Sequence, residues 1–184
     1  MYYRMHVAGL ERDLPLCPIS DQLNIGAFVI FGDVELTCAC ASELLKRAPE
    51  YDYLITAESK GIPLAHEMAR QHGDDTYFLA RKSVKLYMRD VISAEVQSIT
   101  TAARQTLYLD GHLAAKMKGK RILIVDDVIS TGESLRAMAE LVEKAGGTVA
   151  GRMAVLAEGD AQARKDIVYL NKLPVYNADG TVKE

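Results

Sequence analysis

The chain has 184 residues, 49% hydrophobic and 26% charged. That is enough for one well-buried core and is not the composition of a disordered chain. A net charge of −3 lacks the basic footprint of a nucleic-acid binder, yet it permits a local positive pocket for a small anion.

Cys17, Cys38 and Cys40 are too few, and odd in number, for a disulfide framework. Cys38 and Cys40 have no neighbouring His or Cys pair to complete a metal site. Reduced thiols in a cytoplasmic protein are the expectation. Polar and charged residues follow Met1, so no signal peptide is expected. No apolar run approaches the roughly 20 residues of a membrane span.

In chain order, Asp33 to Glu35 precede an amphipathic stretch, residues 36–47, that predicts a helix. Tyr53-Leu54-Ile55-Thr56 predicts a short strand running into a polar loop. Pro63 then suits the first turn of a helix reaching about His72. Residues 76–80 predict another strand. Residues 82–104 have no clear core face and predict a mobile loop, with 106–109 as its returning strand. Ile122-Leu123-Ile124-Val125 is apolar and mostly β-branched, the pattern of a strand buried on both faces. A loop, a helix over 133–144 stopped by Gly146-Gly147, and a strand over 149–156 follow. The alternation predicts an α/β domain with a mainly parallel sheet.

The chemistry concentrates in Val125-Asp126-Asp127-Val128-Ile129-Ser130-Thr131-Gly132-Glu133-Ser134. Ligands of open α/β sheets bind beyond the carboxyl ends of the strands. Two adjacent carboxylates there can accept hydrogen bonds from vicinal hydroxyls or hold the water shell of a divalent cation. A loop opening a helix offers free backbone N–H groups, the hydroxyls of Ser130, Thr131 and Ser134, and the positive dipole end. Taken alone, each half reads as a solvated loop or a helix cap; joined after a buried strand, they read as a site. Neither a P-loop lysine nor the dinucleotide-binding glycine spacing is present.

This segment resembles the phosphoribosyl-pyrophosphate motif of type I phosphoribosyltransferases. The resemblance implies that Asp126 and Asp127 hold the ribose and, through water, Mg²⁺, while Ser130, Thr131, Gly132, Glu133 and Ser134 hold the 5-phosphate. Glu133 stands where the family usually has a small residue; its carboxylate must point away, leaving only its N–H to contribute. Glu58-Ser59-Lys60-Gly61-Ile62 is similar to the pyrophosphate loop of adenine and related purine phosphoribosyltransferases, with Gly61 permitting close backbone approach. Arg81-Lys82-Ser83-Val84-Lys85-Leu86 resembles the opening of the adenine enzymes' lid, with Val84 for a Gly. Its three cations suit a leaving pyrophosphate.

Ile30-Phe31-Gly32-Asp33-Val34 resembles the text that packs against the base, with Gly32 for an Arg. Glu158 stands where the xanthine enzymes and the purine-operon repressor have an acid beside the base. The resemblance covers roughly residues 25–160. It implies one domain over 1–184, with about 1–35 and 157–184 contributing a small hood and about 83–106 a lid.

The implied reaction is Mg²⁺-dependent displacement of pyrophosphate from 5-phosphoribosyl-1-pyrophosphate by a purine, with Asp127, Lys85 and Arg81 as catalytic residues. The Glu of the adenine enzymes' returning lid arm aligns with Thr101, and Glu95 is only an off-register substitute. Adenine is the first expectation for the base, with xanthine or guanine as alternatives. A non-catalytic sensor like the purine-operon repressor is a further alternative. That protein needs an added DNA-binding domain, whereas only about 55 residues precede the pyrophosphate loop here. A homodimer is expected by analogy; nucleic acid and membrane are not expected partners.

Overall fold

The computed structural model describes residues 1–96 and 105–183. Its centre is a five-stranded, wholly parallel sheet in the order β10-β9-β8-β4-β5. These are Val168–Leu173, Thr148–Glu158, Arg121–Ile129, Tyr53–Ala57 and Phe78–Ala80. Period-two alternation divides the central strands between two cores. Leu54, Leu123, Val125 and Met153 pack against α1 (Val34–Leu45) and α2 (Ile62–His72). Ile55, Ile122, Ile124 and Ala154 pack on the opposite side with α4 (Glu133–Lys144). The apolar run at 122–125 is therefore buried on both faces.

A second, antiparallel sheet runs β1-β2-β3-β11: Tyr2–Val7, Leu10–Pro18, Leu23–Gly26 and Val175–Asn177. It brings the two chain ends together. The C-terminal stretch divides between the two sheets, because β10 completes the parallel sheet while β11 joins the antiparallel one. Arg12 of β2 ties this sheet to α1: its guanidinium forks onto Asp33, with Nε 2.6 Å from Oδ2, and reaches Glu35 at 2.8 Å. Asp33 in turn caps α1 by accepting from the Leu36 N–H.

Two expectations need correction. The strand expected to end in Asp126 and Asp127 runs on to Ile129, because its pairing with β9 continues through Val128–Leu156 and Ile129–Ala157. Residues 82–104 are not one long loop either. β6 (Ile92–Val96) pairs with β7 (Gln105–Leu109) as a hairpin whose Ala94, Val96, Leu107 and Leu109 are buried in the core beside α4. Alternation within 92–96, with Ala94 and Val96 inward and Glu95 outward, is too short to stand out in polar text. A short helix, α3 (Gly111–Ala115), leads from the hairpin toward β8. The lid expected over about 83–106 thus meets packed, paired strands at 92–96 and 105–106, while Thr101 lies outside the described residues.

Candidate active site

The loops that follow β8, β4 and β5 leave the parallel sheet at its carboxyl edge. After β8, only Ser130, Thr131 and Gly132 separate the strand from α4. Gly132 takes φ +81°, a left-handed conformation that favours glycine, and lets the chain turn directly into the helix. Unlike α1, α4 has no side-chain cap. Its first intrahelical bond runs from Arg136 N–H to Gly132 O at 2.9 Å. The preceding N–H groups thus lack intrahelical carbonyl partners. They open on a pocket of about 130 Å³ lined by Asp126 and residues 128–135. Glu133 lines it too, but its carboxylate lies 3.3 Å from Arg136, one helical turn on.

Asp127 is 4% exposed. Its Oδ2 stands 3.2 Å from Lys60 Nζ but completes no hydrogen bond among the described residues. The Asp127 N–H donates to Asp126 Oδ1 at 2.9 Å. Burial, and then the neighbouring Asp127 charge, hold the Asp126 carboxyl well above the usual carboxylate range. The site therefore presents two carboxylates of unequal surroundings, one of them facing a lysine from the adjacent strand's loop.

That loop is Glu58-Ser59-Lys60-Gly61, between β4 and α2, and its Glu58–Ser59 peptide is cis. Gly61 lies against β8: a Cβ there would overlap Thr56 Oγ1 and come within 3.2 Å of Asp126 Oδ1. Glycine is thus required by the approach of loop to strand, in addition to any approach to a ligand. Lys60 also reaches the Phe28 carbonyl at 3.5 Å, linking the loop to the segment before α1.

Glu58 points to the segment that follows β5. Its Oε1 lies 3.1 Å from Arg81 Nε and its Oε2 accepts from the Lys82 N–H at 2.8 Å. Arg81 exchanges backbone hydrogen bonds with Tyr108, each 2.8 Å. The acid of the β4–α2 loop is thus a clamp on the Arg81–Lys82 segment that follows β5. Lys85 Nζ donates to Ser83 Oγ at 2.6 Å. Lys82 and Ser83 are exposed and Lys85 is half-buried.

The base-side residues separate by alternation. Ile30 is fully buried, so its side chain belongs to the core and only its backbone is open to a ligand. Phe31 is 48% exposed and Val29 56%. Glu158 ends β9 half-buried, one residue past the Ala157 that pairs with Ile129 of β8. Cys38 and Cys40 are free thiols on α1, and burial, with the Asp33 charge second, pushes the Cys40 thiol up to about 12. Among the described residues, no three His, Cys, Asp or Glu side chains gather to hold a metal, and no helix is long and apolar enough to cross a membrane.

One neighbour of the site carried no sequence signal. Arg164, following the short 3-10 turn Gly159–Ala163, lays its guanidinium against Gly132, so that a Cβ at Gly132 would collide with Arg164 Nη1. The two residues are far apart in the chain, and Arg164 falls outside every motif.

Known proteins resemble the chain over most of its length. The chain is 37% identical over 122 residues to an adenine phosphoribosyltransferase of Rubrobacter xylanophilus, a stretch that covers 66% of this chain and 63% of that enzyme. It is 30% identical to a hypoxanthine/guanine phosphoribosyltransferase of Methanothermococcus okinawensis over 91% of this chain and 95% of that one. The crystal structure of adenine phosphoribosyltransferase from Thermoanaerobacter pseudethanolicus superposes with a TM-score of 0.67, covering 78% of this chain and 84% of that one; at 24% identity this bears on the fold, which is the same α/β fold. Residues 40–177 match the phosphoribosyl transferase domain, and the chain belongs to that family, among its purine enzymes.

Proposed function

We propose that the protein transfers the 5-phosphoribosyl group of 5-phosphoribosyl-1-pyrophosphate to adenine, giving AMP and pyrophosphate. The observation that carries this reading is the convergence on one sheet edge of a carboxylate pair, an uncapped helix N-terminus with its pocket, and a glycine-dependent loop bearing Lys60. Each meets one part of that substrate: ribose hydroxyls, 5-phosphate and pyrophosphate.

Asp126 and Asp127 accept the ribose hydroxyls. The N–H groups at the start of α4, where Glu133 N–H makes only a 3.4 Å contact to Thr131 Oγ1, bind the 5-phosphate together with the hydroxyls of Ser130, Thr131 and Ser134. Ser59, Lys60 and Gly61 receive the pyrophosphate, and Lys82 and Lys85 add cationic charge above it. Arg81 contributes when its guanidinium exchanges Glu58 for a pyrophosphate oxygen. A purine ring nitrogen attacks the anomeric carbon, the bond to pyrophosphate breaks with its electron pair, and the attacking nitrogen releases its proton. Asp127, buried and close to the ring it holds, stabilises the positive charge that develops on the ribosyl carbon. Phe31 offers an aromatic face to the base, and Glu158 an acceptor at its edge.

The donor set fits Mg²⁺. Two hard carboxylates, one with an oxygen lacking a hydrogen bond, suit a cation that keeps water and shares substrate oxygens rather than an all-protein cage. When bound, the ion neutralises charge on the pyrophosphate. The reading includes a cytoplasmic homodimer, which light scattering tests.

A 6-oxopurine as the base is the second reading, favoured by the near-full-length match to a hypoxanthine/guanine enzyme and by Glu158. The experiment mixes protein, Mg²⁺ and the sugar pyrophosphate with adenine, hypoxanthine, guanine and xanthine separately. AMP as the main product supports the adenine reading. Product from a 6-oxopurine alone moves the assignment to that base. No product from any base, in a protein that still binds the sugar pyrophosphate, replaces catalysis with a sensor role.

A further inference from the structure

We propose that Arg164 is a positioning residue for the sugar 5-phosphate, bracing the phosphate-binding loop from behind; the inference rests on the phosphoribosyl reading of that loop. Arg164 starts from a fixed base. Its N–H donates to Ala161 O at 3.2 Å, and Ala161 is 1% exposed in the core. The same turn is held to β10: the Tyr169 hydroxyl donates to Gln162 O at 3.0 Å, and Gln162 Nε2 donates to Leu173 O at 3.0 Å.

The far end of the side chain is fixed as well. Arg164 Nε and Nη2 fork onto the two oxygens of Asp166, at 2.9 and 2.7 Å. That fork leaves Nη1 over Gly132, where any Cβ would collide with it. The Asp166 fork restrains the guanidinium there, although the two side chains are 32% and 49% exposed. The φ of +81° favours glycine at position 132, and the guanidinium lies directly against it.

Two consequences follow for a bound phosphate. The guanidinium sets where the Thr131–Gly132–Glu133 backbone lies, and so where its N–H groups point. It also places a permanent positive charge immediately behind a loop that already carries the dipole end of α4. Asp166 keeps the guanidinium at its post and offsets part of that charge.

The test uses the full-length protein and its Arg164→Ala and Arg164→Lys variants, with ribose 5-phosphate as calorimetric probe and steady-state assays beside it. Arg164→Ala is expected to weaken ribose 5-phosphate binding by about tenfold, the scale of one charge-assisted contact. The KM for the sugar pyrophosphate should rise in parallel, while the KM for the purine and kcat change by less than about threefold. Arg164→Lys should fall in between, because an ammonium keeps the charge and loses the fork. Gly132→Ala should cost less affinity in the Arg164→Ala background than in the parent, since the collision is gone. Ribose 5-phosphate binding unchanged in folded Arg164→Ala overturns the proposal. So does an equal loss for purine and sugar phosphate accompanied by a large fall in Tm, which would mark a general structural role. If the folded parent itself binds no ribose 5-phosphate, the phosphoribosyl reading fails first and takes this inference with it.

Discussion

Lys60 Nζ lies 3.2 Å from Asp127 Oδ2, so one ion pair joins the loop after β4 to the carboxyl end of β8 across two adjacent parallel strands. Asp127 is almost fully buried, whereas the Lys60 side chain is 45% exposed. The buried partner is the one that suffers when the pair is broken. Lys60→Met leaves a desolvated carboxylate facing no cation, and a loss of about 3 kcal/mol is the scale for such an orphan. Urea unfolding measures it. A change below about 0.5 kcal/mol would mean that water already satisfies Asp127.

Asp127→Asn keeps the shape and removes the charge. If Asp127 stabilises the ribosyl cation, turnover should fall by more than tenfold, which corresponds to about 1.4 kcal/mol of barrier. The KM for the sugar pyrophosphate should move less than kcat, because the charge matters most once the bond to pyrophosphate is breaking. A loss confined to KM would instead assign Asp127 to ground-state binding of the ribose.

Glu58 holds Arg81 Nε at 3.1 Å and the Lys82 N–H at 2.8 Å. Arg81 Nε is buried and completes no hydrogen bond among the described residues, so the Glu58 carboxylate serves it as a counter-ion only. Glu58→Ala therefore removes the counter-ion of Arg81 and the acceptor of the Lys82 N–H together. The expected cost is about 1–3 kcal/mol, with a raised KM for the sugar pyrophosphate as that segment loses its anchor. Thermal unfolding and steady-state kinetics give the two numbers. Unchanged stability would show that Arg81 finds another partner, and the clamp would then carry no weight.

The sequence made the central motif legible because each of its parts carries a local signal. Four apolar residues mark the strand at 122–125, hydroxyls and Gly132 mark the turn, and 133–144 carries helical periodicity up to two glycines; α4 occupies that span. Contacts between segments distant in the chain were not legible. Nothing local says that Glu58 faces Arg81 rather than a ligand, that Gly61 is squeezed by Thr56 and Asp126, or that Arg164 lies on Gly132. Ile30 and Phe31 show the same limit: both are large and apolar, and only the alternation of the docked segment decides which faces inward. Of the hairpin, β7 was legible as the returning strand at 106–109, whereas β6 hides because its five residues sit in polar text with a polar outer face.

That hairpin makes its own prediction. Ala94, Val96, Leu107 and Leu109 are buried beside α4. Lys144 Nζ donates to Ser93 O at 2.7 Å, and Arg136 Nη2 donates to Glu95 O at 3.0 Å. Paired amides of β6 and β7 should therefore exchange with solvent hydrogen only through large-scale unfolding, as core strands do. Exchange within seconds would show that the hairpin opens locally, and would restore the longer lid that residues 82–104 suggested.

Helix α2, which reaches α1 through Gln71 Nε2 donating to Cys38 O at 3.0 Å, predicts an acid limb. The Glu67 carboxylate takes hydrogen bonds from Arg70 at 2.7 and 2.8 Å and from Gln71 at 2.8 Å. Arg70 first, against the opposing effect of burial, lowers its pKa from 4.5 to about 2. A depressed carboxyl contributes stability that is fully present above its unfolded pKa and is lost as pH falls through the folded one. For Glu67 that window runs from about 4.5 down to about 2. Arg70 is largely exposed, which screens the pair and makes the effect smaller than the shift alone implies. Glu67→Gln should lower Tm at neutral pH and flatten the fall of Tm across that window. Parallel Tm curves for parent and variant between pH 4.5 and 2 would mean that the carboxylate's charge contributes nothing to holding the two helices together.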